Sequence, residues 1–202
     1  MAYSLRDHFL HDDDDPVQFI ETPNQSSGIT PTYLIMHYTA GTSLSGATSW
    51  FANPEARASA HLTIDKDGKV VQMVRFNRKA WHAGRSAWAG LSSLNAHSIG
   101  IELVNAGKLR RRGDGKWVNW ANNAIPNNRV AEATHKDETS SAGWELFPDK
   151  QVETAIEIAI ALRDRYNFVD VLGHDDVSPG RKVDPGPLFP MISFKSRVLG
   201  RE

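Results

Sequence analysis

The segment Gly173–Pro187 places a histidine, a carboxylate and two cations in one loop, and few folding roles require all of them together. His174 and Asp184 lie ten positions apart in this loop. Because Pro179-Gly180 turns the chain back between them, both side chains can reach one cation. The segment therefore predicts half of a metal site, and the fold must bring the other half to it.

His37 is the candidate for that other half. It ends the apolar run Tyr33–His37, which predicts a buried strand that delivers its last side chain to a sheet edge. The chain has no cysteine, so a metal site here uses nitrogen and oxygen alone. Two histidines and one carboxylate are a common catalytic set for Zn²⁺, and the mixture argues against calcium or magnesium. The alternative is a core histidine with satisfied hydrogen bonds.

Composition limits the function classes. A chain of 202 residues with 40% hydrophobic content can bury one sizeable core, so we expect a single domain. The net charge of −1 argues against a nucleic-acid partner. Lys108–Arg112 is the basic cluster of the sequence, and we interpret it as a solvated loop, although an anionic polymer could use it. We expect no membrane span and no secretory signal.

Residues 1–30 predict an extended, partly ordered N-terminal arm, followed by one domain over residues 31–202. The arm carries Asp12–Asp15 next to His8 and His11. These residues could imitate a metal site, but a charge run near a terminus is usually solvated.

Further along the chain, apolar patterns and turn residues predict alternating strands and helices. Asp67-Gly68 predicts the turn of an antiparallel hairpin, and an apolar face at helical spacing from Asp149 predicts a long helix. The predicted elements are a helix over Ser45–Phe51, hairpin strands over Ala60–Asp65 and Lys69–Val74, a central strand over Ile99–Val104, helices over Asp149–Tyr166 and Phe189–Val198, and a strand over Val169–Leu172. This pattern favours an α/β fold with a central mixed sheet flanked by helices.

Five segments, in order along residues 30–190, resemble the type 2 N-acetylmuramoyl-L-alanine amidases. They are Met36–Ala40, Ser59–Leu62, Trp81–Gly84, Ser98–Glu102 and Gly173–Pro187. That family consists of zinc enzymes of peptidoglycan and includes a bacterial wall-recycling amidase, phage endolysins and peptidoglycan recognition proteins. The resemblance implies the same α/β architecture.

The resemblance implies that His37, His174 and Asp184 hold Zn²⁺. The aspartate as third ligand is similar to bacterial members, whereas animal and some phage members have a cysteine. Glu102 is the expected general base, because a carboxylate on an apolar strand is costly to bury unless a cation is near. Lys182 is expected to donate to the developing oxyanion. The alternatives are an exposed strand end for Glu102 and a solvated lysine.

Some relatives have a tyrosine before the histidine of the second segment, where this chain has Ala60. A tyrosine-assisted mechanism is therefore not expected, and this favours Glu102 as the group that assists catalysis. Residues expected near the substrate are His61, Trp81, His82 and Arg181, with Arg181 suited to an acidic group of the stem peptide. Structural histidines and a salt bridge within the loop are the alternatives.

Residues 105–147 form a long polar insertion in this scheme, with tryptophans at 117, 120 and 144. A connection of this length without clear periodicity is uncommon in one domain. The tryptophans either stack on sugar rings or hold the segment in place.

The expected function is zinc-dependent hydrolysis of the amide bond between the lactyl group of N-acetylmuramic acid and L-alanine, with peptidoglycan or a muropeptide as the partner. The alternative is a peptidoglycan-recognition module without catalysis, but such proteins lose a zinc ligand. A housekeeping, phage lytic or toxin role shares this chemistry. The expected location is the cytoplasm, or the cell wall reached by a separate route.

Overall fold

The computed structural model describes residues 3–201, and its strands and helices are numbered here in chain order. The strands are β1 Tyr3–Arg6, β2 Phe9–Asp12, β3 Asp15–Pro16, β4 Gln18–Phe19, β5 Gln25–Gly28, β6 Tyr33–Tyr38, β7 Leu62–Ile64, β8 Val70–Gln72, β9 Arg78–Ala80, β10 Ala87–Trp88, β11 Leu91–Ser92, β12 Ser98–Leu103, β13 Lys108–Arg111, β14 Trp117–Val118, β15 Ala124–Ile125, β16 Val130–Thr134, β17 Ser141–Glu145 and β18 Asp170–Gly173. The α-helices are α1 Leu44–Ala52, α2 Asp149–Tyr166, α3 His174–Val177 and α4 Met191–Leu199.

A six-stranded mixed sheet with the order β18-β6-β12-β7-β8-β4 forms the centre of the fold. Strands β18, β6, β12 and β7 run parallel, β7 and β8 form an antiparallel pair, and β4 runs parallel to β8. Every residue of β12 is buried, as its apolar sequence predicts for a strand covered on both faces. The predicted α/β class and central mixed sheet are therefore confirmed.

Helices α2 and α4 cover one face of this sheet. Successive side chains of a strand point to opposite faces, so β6 sends Leu34 and Met36 into the main core with α2 and sends Ile35 to the other face. His37 lies on the same face as Ile35. Strand β12 divides in the same way, with Ile101 in the main core and Glu102 opposite.

The predicted helices and the hairpin form close to their expected bounds. Ser43 caps α1 by accepting from the Gly46 N–H at 3.2 Å, and Asn53 ends the helix before Pro54. Gly68 has φ +89 in the turn between β7 and β8, a conformation that glycine adopts without strain.

Residues 3–30, where an extended and partly ordered arm is expected, contain five strands in the structure. Strands β1, β2 and β3 form an antiparallel sheet, and β4 extends the central sheet. Leu10 is fully buried in the main core, and its N–H donates to the Gln72 side chain at 2.8 Å. The first two residues of the predicted arm lie outside the described range.

The polar insertion at residues 105–147 is a regular five-stranded sheet with the order β15-β14-β13-β17-β16. Its small core contains Ala106, Leu109, Trp117 and Ile125. Strands β14 and β15 have two residues each, which is too short to produce an alternating pattern in the sequence. This sheet could therefore not be predicted from the sequence.

Candidate metal centre and active site

The carboxyl ends of three adjacent parallel strands meet at one edge of the central sheet. His37 lies near the end of β6, Glu102 lies opposite it in the register of β12, and His174 directly follows β18. Ligand sites of α/β folds usually lie at this edge. The fold thus brings together residues that are more than 130 positions apart in sequence.

His37, His174 and Asp184 converge into a compact buried cluster. The Nδ1 atoms of the two histidines are 3.0 Å apart, and Asp184 Oδ2 lies 3.0 Å from His37 Nδ1 and 2.9 Å from His174 Nδ1. Within residues 3–201, these three form the group of metal-binding side chains whose ligand atoms all lie within 4.8 Å of one another. The loop that follows β18 begins with the one-turn helix α3 and returns Asp184 to the His174 side.

The donor atoms of this cluster are suited to a cation. His174 Nε2 faces the Ala83 carbonyl at 3.1 Å, and a carbonyl can only accept, so the proton of a neutral His174 lies on Nε2. Its Nδ1 lone pair then points at Asp184. Two acceptors in contact repel unless a cation lies between them, so the residues present fit a metal ion.

His37 is also suited to bind a metal ion. Burial, together with the charge of His174, lowers the pKa of His37 to about 4, so the ring is neutral at neutral pH and one of its two nitrogens carries a lone pair. Neutral imidazole nitrogens and a carboxylate oxygen are the donor types found in catalytic zinc sites. Calcium and magnesium prefer oxygen donors alone.

Glu102 faces the same cleft, which has a volume of about 360 Å³ and is also lined by Lys182 and Asp184. Burial and the neighbouring Asp184 raise the pKa of Glu102 to about 8, and Lys182 partly offsets this increase. Its Oε2 atom has no hydrogen-bond partner among residues 3–201. A buried carboxylate oxygen with no partner is costly, which is typical of a group reserved for a ligand or a proton.

A family model described as N-acetylmuramoyl-L-alanine amidase matches residues 27–187. The chain belongs to this amidase family.

Two curated relatives show how far the similarity extends. The chain is 31% identical over 144 residues to the 1,6-anhydro-N-acetylmuramyl-L-alanine amidase AmpD of Escherichia coli, covering 70% of this chain. It is 30% identical over 198 residues to the N-acetylmuramoyl-L-alanine amidase AmiD of the same organism, covering 90% of this chain. In each case the match spans 59% of the relative's length.

A solved amidase structure shares the fold. The Escherichia coli AmiD complex with the substrate anhydro-N-acetylmuramic acid-L-Ala-D-gamma-Glu-L-Lys superposes with a TM-score of 0.62 at 25% identity. The match covers 97% of this chain and 65% of that one. The fold of this amidase domain is therefore that of a protein solved with a muropeptide.

His61 is fully buried, and both of its ring nitrogens are engaged by the backbone. Its Nδ1 accepts from the Gly100 N–H at 3.0 Å, and its Nε2 donates to the Arg78 carbonyl at 2.9 Å. No ring nitrogen is left for a substrate, so the structural alternative applies to His61. Ala60 is fully buried beside it.

Arg181 and Trp81 line the cleft, and some of their N–H groups are hydrogen-bonded within the protein. Arg181 Nη2 donates to the carbonyls of Ala83 and Arg85, both at 2.8 Å, and to Ser178. This pattern differs from the salt bridge given as the alternative for Arg181, and it connects the Gly173–Pro187 segment to the chain after Trp81. Trp81 donates its indole N–H to Ser26 at 3.1 Å and lines the cleft with its ring.

The tryptophans of the insertion divide into two kinds. Trp117 and Trp144 are buried, so they hold the insertion together as one alternative proposed. Trp120 is 77% exposed, and its indole N–H donates to the Ala40 carbonyl at 2.9 Å, next to the cleft. Trp50, which is 55% exposed, lines the cleft from α1. Trp50 was not predicted from the sequence, since a tryptophan in a short helix belongs to no motif.

A second buried histidine–aspartate pair was also missed. His135 Nε2 donates to Asp175 Oδ2 at 2.9 Å, and both residues are buried. Asp175 directly follows His174, so the pair ties the insertion to the helix that carries a proposed ligand. No sequence signal connects residues 40 positions apart on different elements.

Proposed function

We propose that this chain is a zinc-dependent amidase that cleaves the amide bond between the lactyl group of N-acetylmuramic acid and L-alanine. The observation that carries the proposal is the contact of His37, His174 and Asp184 beside the buried Glu102 at one end of a parallel sheet. Membership of the amidase family supports the substrate class. Muropeptides are the substrates proposed, because a related amidase was solved with one.

The three clustered side chains would hold the ion. When bound there, Zn²⁺ polarises the scissile carbonyl and lowers the pKa of water that it contacts. The buried carboxylate of Asp184 offsets part of the ion's charge, and the N–H of Asp175 bonds the Asp184 carbonyl at 2.9 Å and keeps the loop in place.

Glu102 would act as the general base. Its oxygen without a partner can accept a proton from the attacking water, and the same carboxyl can then pass that proton to the departing nitrogen of L-alanine. A carboxyl whose pKa lies near the working pH suits both steps, and burial moves Glu102 in that direction.

Lys182 would stabilise the developing oxyanion. It lines the cleft with Glu102 and Asp184 and is only partly exposed. An ammonium group directed at the position where negative charge develops commonly stabilises the transition state by a few kcal/mol.

Cleavage of purified peptidoglycan and of a soluble muropeptide tests this proposal. We expect zinc-loaded protein to release peptides with a new L-alanine amino terminus, detected by mass spectrometry, and chelator-treated protein to release none until zinc is restored. Binding to peptidoglycan without any new amino terminus would favour the recognition module instead.

A further inference from the structure

A chain of hydrogen bonds runs from a backbone carbonyl to the imidazole of His37 through two buried side chains. Ser98 Oγ donates to the Leu94 carbonyl at 2.6 Å. His82 Nε2 lies 3.3 Å from Ser98 Oγ, and His82 Nδ1 lies 3.0 Å from His37 Nε2. His82 and Ser98 are both buried, so water does not compete for these bonds.

Donor and acceptor chemistry fixes the direction of every bond in this chain. The Leu94 carbonyl only accepts, so it takes the single hydroxyl hydrogen of Ser98. Ser98 Oγ must then accept from His82 Nε2–H, and a neutral His82 has its lone pair on Nδ1. His37 consequently donates its Nε2–H to His82. The lone pair of His37 therefore lies on Nδ1, the atom that faces His174 and Asp184.

Ala83, the residue after His82, fixes the tautomer of the second histidine of the cluster, His174. The Ala83 carbonyl accepts from His174 Nε2, so both imidazoles of the cluster are held by consecutive residues of one segment. The Asn95 side-chain oxygen accepts from the backbone N–H groups of His82 and Ala83, at 3.1 and 2.7 Å. One amide oxygen thus holds the whole segment in place.

Packing keeps the His82 ring in the orientation that this chain requires. A Cβ atom at Gly100 would lie 2.4 Å from the ring, so the ring occupies the space that a side chain would fill. The rings of His37 and His82 meet edge to face with centroids 5.1 Å apart.

We propose that His82 is a positioning residue, which fixes His37 in the tautomer whose Nδ1 lone pair is free for a metal ion. It acts on the metal through His37 and does not contact the substrate in this role, unlike the substrate-orienting role that the sequence suggested. The proposal rests on the metal-binding part of the proposed function. Outer partners of metal-binding histidines commonly change metal affinity about 10–100-fold when removed.

Two substitutions of His82 separate the hydrogen bond from the packing. His82→Leu fills the space without an acceptor, and we expect zinc affinity to fall about 10–100-fold in competition with a chromophoric chelator. His82→Gln keeps an amide oxygen that can accept from His37, and we expect its affinity to lie closer to wild type than to His82→Leu. Wild-type affinity in His82→Leu would overturn the proposal.

His61→Leu is the matched control, because His61 is a neighbouring buried histidine whose nitrogens bond only to the backbone. We expect it to lower the free energy of unfolding while zinc affinity changes less than in His82→Leu. An equal loss of affinity in both variants would show that general loosening is responsible and would contradict a positioning role.

Nitrogen-15 NMR of the histidine rings tests the tautomer without any substitution. In the wild-type chain we expect His37 to carry its proton on Nε2 both before and after zinc is added. A proton on Nδ1 in the zinc-free protein would overturn the proposal, even if the variants fail to fold. Neither measurement uses peptidoglycan, so zinc-loaded protein that shows the expected tautomer but cleaves nothing would contradict the amidase proposal alone.

Discussion

Glu102 combines burial, a raised pKa and a carboxylate oxygen without a partner among residues 3–201. Each of these features is costly for folding, and together they are typical of a residue kept for chemistry. The position follows from register, because Glu102 is paired with His37 across the parallel strands β12 and β6.

Replacement of Glu102 by glutamine should abolish most of the activity while zinc remains bound. The amide keeps the size of the side chain but cannot accept the proton, and general bases commonly contribute about 10²–10⁴-fold to the rate. Turnover of a soluble muropeptide and zinc content should be measured on the same sample. Glu132→Gln, at an exposed position of β16, is the control. Wild-type turnover in Glu102→Gln would exclude the general-base role.

His61 gives a prediction on acid sensitivity. Burial lowers its pKa to about 4, from the ordinary value of 6.5, so the unfolded chain takes up a proton before the folded one as the pH falls. The stability that depends on neutral His61 is complete above pH 6.5 and is lost as the pH falls towards 4.

The variant His61→Gln tests this dependence in the zinc-free protein. At pH 7 it should lower the free energy of unfolding by about 1–3 kcal/mol, because Gly100 N–H or the Arg78 carbonyl loses its partner. The difference from wild type should narrow by about 2 kcal/mol at pH 5, since the variant has no imidazole to protonate. Urea unfolding at both pH values measures it, and a constant difference would contradict the assignment.

At the scale of elements, the insertion is attached to the central sheet through a buried carboxylate. Glu145 on β17 accepts from Lys66 Nζ at 2.8 Å, from Arg129, and from the Ala106 N–H at 2.5 Å. Its side chain is fully buried, whereas both cations are partly exposed. The Glu145 carboxylate therefore binds Lys66, which follows β7 of the central sheet, and Arg129 of the insertion.

Glu145→Gln should destabilise the protein by about 1–3 kcal/mol, because one acceptor for these donors becomes a donor itself. Glu138→Gln is the matched control: Glu138 bonds Lys108 at 2.6 Å but is partly exposed. We expect it to cost less than about 1 kcal/mol. Urea unfolding of both variants decides this, and equal losses would show that burial of Glu145 is not the cause.

The elements that sequence alone predicted were those with a long, regular apolar pattern. Helix α2 was predicted at its observed bounds, and the largely apolar β12 was predicted as a central strand. The insertion and the N-terminal sheet were missed, since their strands have five residues or fewer and show no regular apolar pattern. Periodicity reports which face of an element is buried, not which distant segment covers it.

Sequence alone predicted some residues of the candidate site but not the residues that hold them in place. Motifs singled out His37, His174, Asp184 and Glu102, because each follows an apolar strand or lies in the Gly- and Pro-rich loop. The partners of these residues could not be predicted. Asn95 holds its segment through backbone N–H groups, and such contacts leave no pattern in a single sequence.

At the scale of the whole molecule, the N-terminal sheet is part of the main core rather than an appendage. Leu10 packs among residues of the central sheet and α2, and Gln72 of β8 accepts from the Leu10 N–H and donates to the His8 carbonyl. His8 also lies 2.6 Å from the Tyr166 hydroxyl at the end of α2. These contacts connect the first strands to the central sheet and to α2.

Leu10→Ala should therefore lower the global stability by about 2–5 kcal/mol, the usual cost of a cavity in a packed core. Urea unfolding followed by tryptophan fluorescence and by circular dichroism should show one coincident transition, shifted to lower urea. Leu5→Ala, at a partly buried position, should cost less. A Leu10→Ala curve that overlays wild type would mean that this segment is not part of the cooperative unit.

The proposed donor set of two imidazoles and one carboxylate contains no sulfur, in a chain without cysteine. A thiolate in the third position would be open to peroxide, which converts it stepwise to sulfenic and sulfinic acids. Imidazole and carboxylate groups do not enter that series of reactions. The centre is therefore protected against thiol oxidation, and no reducing partner is needed to restore it.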